Sequence, residues 1–164
     1  MREQYWNWYV YLKYTIDYFE AYKTRKNRIS NGYSAILLCA SAAGITSLTI
    51  WSSVPHLWSI IVIFAQIIEA IKPVIPWFNQ GPALKYILQD YDSYFSEVER
   101  FWNHIDEADD TEIEDFIHRI KVQMRNSQDR FAGDVDFPII PACAKKADKS
   151  YKAYFEYKYD VNGG

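Results

Sequence analysis

Forty consecutive residues, Ile29 to Ile68, contain no Asp, Glu, Lys or Arg, and this constrains the chain more than any other feature. The whole-chain averages, 24% charged and 49% hydrophobic with a mean hydropathy of -0.28, would suit a soluble domain. They mix strongly polar ends with an oily middle. Crossing about 30 Å of hydrocarbon takes ~20 mostly apolar residues in a helix, because lipid offers no partners to unpaired backbone groups. Ser34 to Val54 supplies one such run and Leu57 to Phe78 a second, with Pro55 between them. Proline disfavours helix in the residue before it, so a turn near residues 53–57 is expected. Trp51, Trp58 and Trp77 fall near the ends of the two runs, where amphipathic rings prefer the headgroup level. The apolar run begins too late and extends too far for a cleavable signal peptide.

The expected fold is therefore an all-α membrane protein: a cytoplasmic N-terminal helix (1–33), a transmembrane helical hairpin (34–78) and a cytoplasmic region of long helices (79–164), assembled as an oligomer. Lys23, Arg25, Lys26 and Arg28 precede the first run, Lys72 and Lys85 follow most or all of the second, and no charge lies between the helices. Positive-inside bias then puts both termini in the cytoplasm. Charge also alternates along the chain. Residues 1–28 hold six basic and three acidic groups, 84–115 two basic and eleven acidic, and 116–164 nine basic and six acidic.

In the first run Ala40, Ala43, Gly44 and Ser47 share a helical face, the small-residue pattern that lets backbones approach closely in lipid. In the second, Ser59, Gln66, Glu69 and Pro73 form a polar stripe on an Ile-rich helix. An ionisable group within a span is costly and calls for a reason. Glu69 can pair with Lys72 at the inner membrane surface, a bland explanation that stays open. Alternatively, several copies around an axis would turn Gln66 and Glu69 into the lining of an aqueous path. Glu69 would then form a cation-favouring carboxylate ring, Val62 or Ile63, one turn outward, the hydrophobic constriction, and Ser59 a further part of the pore lining. One hairpin cannot enclose a pore, so a channel requires a homo-oligomer.

Outside the hairpin the N-terminal segment is crowded with aromatics, and Trp8, Leu12, Ile16 and Phe19 suit a packing face. Gly81-Pro82 reads as a turn and helix start. After it Leu84, Leu88, Tyr91, Phe95, Val98, Trp102 and Ile105 repeat in steps of four and three, a seam that can meet either the N-terminal helix or other copies. Asp106 to Asp110 breaks that helix. Thr111 and Glu114 stand at capping-box spacing before Ile113, Phe116, Ile117, Ile120 and Met124 on one face. Gly133 to Pro141 reads as a loop, and the tail as a helix despite the strand-like alternation of Phe155, Tyr157, Tyr159 and Val161.

Lys145, Lys146, Lys149 and Lys152 interleave with aromatics in that tail, a composition able to hold phosphates and bases, although a solvated face explains it about as well. Together with Lys23, Arg25, Lys26 and Arg28 they are the candidate ligand contacts. No catalytic motif is present: His56, His104 and His118 stand apart, and HExxH, GxSxG and phosphate-loop patterns are missing. His104 with Glu107 reads as a surface contact rather than a metal site. Two cysteines, Cys39 and Cys143, offer neither a disulfide framework nor metal spacing. Neither an enzyme nor a cofactor is expected.

This order of elements resembles the SLATT family, two-span effectors of prokaryotic conflict systems. The likeness rests on Tyr14 to Arg28, the hairpin Ser34 to Trp77, the helix Leu84 to Ile105, and Ile140-Pro141 leading into the tail. It implies a pore-forming effector of anti-phage defence in the bacterial plasma membrane, expected as a homotetramer and acting by depolarisation. The resemblance further implies control by a nucleotide signal from a partner nucleotidyltransferase, either a cyclic oligonucleotide or a short DNA oligomer as in Hailong-type systems. It carries over no catalytic residues. Two other functions fit the same residues: a membrane-anchored interaction module that recruits a partner through the heptad seam, and a non-selective membrane-disrupting toxin.

Overall fold

The computed structural model describes residues 1–50, 60, 63, 64, 66, 67, 70, 76–133 and 137–159, with the backbone alone for 37, 39–50 and 76–80. Among them the chain is all-α. Four helices run in order: α1 (Arg2–Ile50), α2 (Pro76–Trp102), α3 (Asp110–Phe131) and α4 (Pro141–Tyr159). Contacts divide the chain into two compact units, one of Met1–Thr24 with Pro82–Gly164 and the other of Arg25–Gly81.

The first unit is built on the N-terminal part of α1. Tyr5, Tyr9, Leu12, Ile16 and Phe19 are all buried at steps of four and three, so this face carries the heptad geometry that lets one helix seat along another. The buried set differs from the one expected. Trp8 is only half-buried, and Tyr5 and Tyr9 take its place because their phenol groups find polar partners inside, the condition for burying a tyrosine. The α2 seam meets this face. Tyr5 packs against Phe101 and Trp102 (ring centroids 5.4 and 6.0 Å), Tyr9 against Phe95 (5.3 Å) and Phe19 against Tyr91 (5.9 Å). Numbers rise along α1 as they fall along α2, so the two helices are antiparallel. The seam thus has its own chain's N-terminal helix as partner, one of its two expected options. Ile87, outside the seam as read, is buried with it.

The other two helices close the core from different sides. On α3 Ile113, Ile117 and Ile120 are buried, and Phe116 stacks on Phe101 at 4.2 Å. The Ser127 hydroxyl donates to Asp90 Oδ2 at 2.7 Å, tying α3 to α2. Helix α4 turns Cys143, Ala147 and Phe155 inward. Phe155 sits edge-on to both Trp6 (5.2 Å) and Tyr9 (5.1 Å). The tail's strand-like alternation yields to helix because this placement buries Phe155 and leaves Tyr157 exposed.

Two expected helix starts are corrected. Helix α3 begins at Asp110 with Asp109 as N-cap: Asp109 Oδ1 accepts from the Glu112 N–H at 2.8 Å, and Glu112 Oε2 accepts from the Asp109 N–H at 3.2 Å. The capping box is therefore Asp109/Glu112 and not Thr111/Glu114, an aspartate being at least as good an N-cap as a threonine. Helix α2, described as Pro76–Trp102, already runs inside the expected second span and continues through Gly81-Pro82. Pro82 costs α2 one backbone bond, which the burial of Leu84, Ile87 and Leu88 just beyond it offsets. The loop expected at Gly133 to Pro141 is present where described: Gly133 adopts φ 55°, the left-handed region glycine enters without strain, and Pro141 opens α4.

In the second unit α1 continues to Ile50, carrying most of the first expected span as helix. Ile60, Ile63, Phe64, Gln66, Ile67 and Ala70 of the second expected span are helical and exposed. Among the described residues no helix is long and apolar enough to cross a membrane. The expected turn near 53–57, and most of the second span, lie outside the described residues.

Candidate functional site

The expected pore stripe is described only in part. Ile63 and Gln66 are exposed helical residues three apart, on neighbouring parts of one helix face. Ser59, Val62 and Glu69 lie outside the described residues. Ala40, Ala43, Gly44 and Ser47 belong to α1, with side chains outside the description.

The basic candidates fall into two different situations. On α4 Lys145, Lys146, Lys149 and Lys152 are all exposed, and Lys145, Lys149 and Lys152 share a face by their spacing. Lys152 donates to Asp148 at 2.9 Å, and that bond holds its ammonium above the ordinary lysine range. Beside it Tyr151 packs edge-on to Tyr14 of α1 at 5.7 Å. The N-terminal cluster does not form one surface. Arg25 and Arg28 are exposed and Lys23 is half-buried, but Lys26 is only 7% exposed, and its Nζ has no hydrogen-bond partner among the described residues. Burial pushes its pKa down, as expected where an ammonium gives up water without gaining an anion. Gly81 lies close by, so that a methyl group there would come 3.9 Å from Nζ. Lys26 therefore cannot present an exposed charge as a surface ligand contact would.

Two arrangements escaped the sequence. The first is a polar hub at Glu99 of α2. Its Oε1 accepts from the Tyr154 hydroxyl at 2.5 Å and from the Tyr9 hydroxyl at 3.5 Å, and Lys158 forms an ion pair with it. One carboxylate thereby joins α1, α2 and α4. The phenol of Tyr9 is pushed well above the usual tyrosine range by burial first, then by its hydrogen bonds with Tyr159 and Tyr154. Its signal in the sequence was the run of Tyr154, Lys158 and Tyr159 at helical spacing, which has no visible target until the fold brings Glu99 to it.

The second is a cavity of about 470 Å³ in the first unit, between α1, the end of α3 and the loop before α4. Tyr11, Tyr14 and Tyr18 line one wall at steps of three and four. Tyr18 fixes the loop: its hydroxyl donates to the Pro138 carbonyl at 2.7 Å and accepts from the Ile140 N–H at 2.9 Å. Gln128 and Asp129 supply polar groups from the last turn of α3.

Among the described residues no group of three or more His, Cys, Asp or Glu is placed to hold a metal ion. His104 Nδ1 lies 3.0 Å from the Arg100 carbonyl, a contact within its own turn. Cys143 is a buried free thiol. Comparison with protein-family models, with curated proteins and with solved structures gives no match.

Proposed function

We propose that the chain is a membrane-embedded, homo-oligomeric pore-forming effector: a cation channel gated by a nucleotide or oligonucleotide signal, in the bacterial plasma membrane with both termini cytoplasmic. The observation that carries this reading is the exposure of large apolar side chains in the uncharged stretch. Ile36, Leu38 and Phe64 are 68%, 71% and 62% exposed, joined by Ile60, Ile63 and Ile67. Apolar surface on this scale needs a cover, and over a run with no charged residue lipid or further copies of the chain would supply it. Gln66, exposed among these residues, is the polar group such an assembly would turn toward its axis, with Glu69 beyond it. The exposed lysines of α4 support a role for the helical first unit in holding an anionic signal.

Purified protein in planar bilayers is expected to conduct cations, and Glu69→Ala to reduce cation selectivity. A wild-type conductance whose size and selectivity survive Glu69→Ala removes that carboxylate from the path. Function that survives replacement of the hairpin by an unrelated two-span anchor points instead to an interaction module. Release of large dyes from vesicles points to a lytic toxin.

A further inference from the structure

The cavity walled by Tyr11, Tyr14 and Tyr18 has a chemistry unlike that of the basic faces. Among its described lining residues Asp129 is the sole charged group, and none is basic. Asp129 is exposed and has no hydrogen bond or ion pair among the described residues. It stands in the last turn of α3, whose final carbonyls add partial negative charge at the same end of the cavity. Tyrosine ring faces are negative as well. Two of the four hydroxyl groups that line the site are already engaged: Tyr18 binds the loop, and Thr15 donates to the Tyr11 carbonyl at 2.9 Å. The polar groups left to meet a ligand are the Tyr11 and Tyr14 hydroxyls, the Gln128 side-chain amide and the Asp129 carboxylate, the last being the sole charged group among the described lining residues.

We propose that this cavity binds a small planar organic cation of the amidinium or guanidinium type, stacked against the tyrosine wall and paired through its N–H fork with Asp129. A planar fork of donors matches a carboxylate in two parallel bonds, and its flat charge suits an aromatic face. A phosphate-bearing ligand meets the wrong sign here. The site is therefore separate from any contact that the α4 lysines make, and it does not depend on whether the chain conducts ions. All of its walls belong to one compact unit.

The test compares benzamidine with benzamide, its neutral isostere, by calorimetry on the full-length protein in nanodiscs. Benzamidine is expected to bind saturably, with about tenfold preference over benzamide, the scale of one charge-assisted pair. Asp129→Asn should bring the two probes within about twofold of each other by removing the charge from that pair, while the control Asp148→Asn on α4 keeps the preference. Because Asp129 is exposed and unpaired, its variant should retain wild-type helicity and melting, which the same samples report. Equal affinity for the two probes, absence of saturable binding, or a preference that persists in Asp129→Asn each overturns the proposal.

Discussion

Tyr5 and Tyr9 show how a single residue type serves two ends. Each buries a large ring in the core and still needs a partner for its hydroxyl. Tyr5 donates to the Val98 carbonyl at 2.8 Å, and Tyr9 reaches Glu99 and Tyr159. Tyr5→Phe keeps the packing and deletes one buried hydrogen bond, so it is expected to cost about 1 kcal/mol in a denaturant titration of the first unit. Leu12→Ala removes fully buried aliphatic volume and is expected to cost about 2–5 kcal/mol by the same measurement. Burial raises the pKa of Tyr5, Tyr9 and Tyr91 above the usual tyrosine range. The sign follows directly. Unfolded tyrosines ionise near pH 10 while the buried ones stay protonated, so the folded state binds more protons above that point and loses stability as pH rises. With three such groups, stability should fall by about 4 kcal/mol per pH unit above roughly pH 10. Melting temperature followed against pH, with phenolate absorbance, checks it; a flat alkaline limb contradicts the burial of these phenols.

Among the elements, α3 shows what a helix start rests on. Asp109→Ala removes one half of the capping box and is expected to cost about 1 kcal/mol, whereas Thr111→Ala should be close to neutral. The comparison of the two melts separates the observed cap from the one that spacing alone suggested. What was legible in the sequence was periodicity. The steps of four and three from Leu84 to Ile105 located the buried face of α2, and Ile113, Ile117 and Ile120 that of α3, because helical spacing alone decides which residues share a side. Ends were less legible, since Asp109, Thr111 and Pro82 all carry valid local signals and only tertiary packing ranks them. Least legible were the sites. Asp129 lies more than a hundred residues from Tyr11, and no local pattern joins them. The same holds for Glu99 and Tyr9, whose meeting depends on α1 and α2 being antiparallel.

At the scale of the whole molecule, the helical unit of Met1–Thr24 with Pro82–Gly164 carries a large aromatic cluster beside its buried aliphatic side chains. Tyr5, Tyr9, Trp6, Trp102, Phe101, Phe116 and Phe155 form a continuous cluster of stacked and edge-on pairs. Within it Trp6 and Trp102 sit 4.9 Å apart at 45°, on α1 and α2 respectively. Indoles fixed that close at an oblique angle form a chiral pair of chromophores, and near-ultraviolet dichroism reports such fixed packing and vanishes when it loosens. The chain therefore carries its own optical gauge of whether α1 and α2 stay engaged, one that can be read while a candidate signal is titrated in, with no label attached.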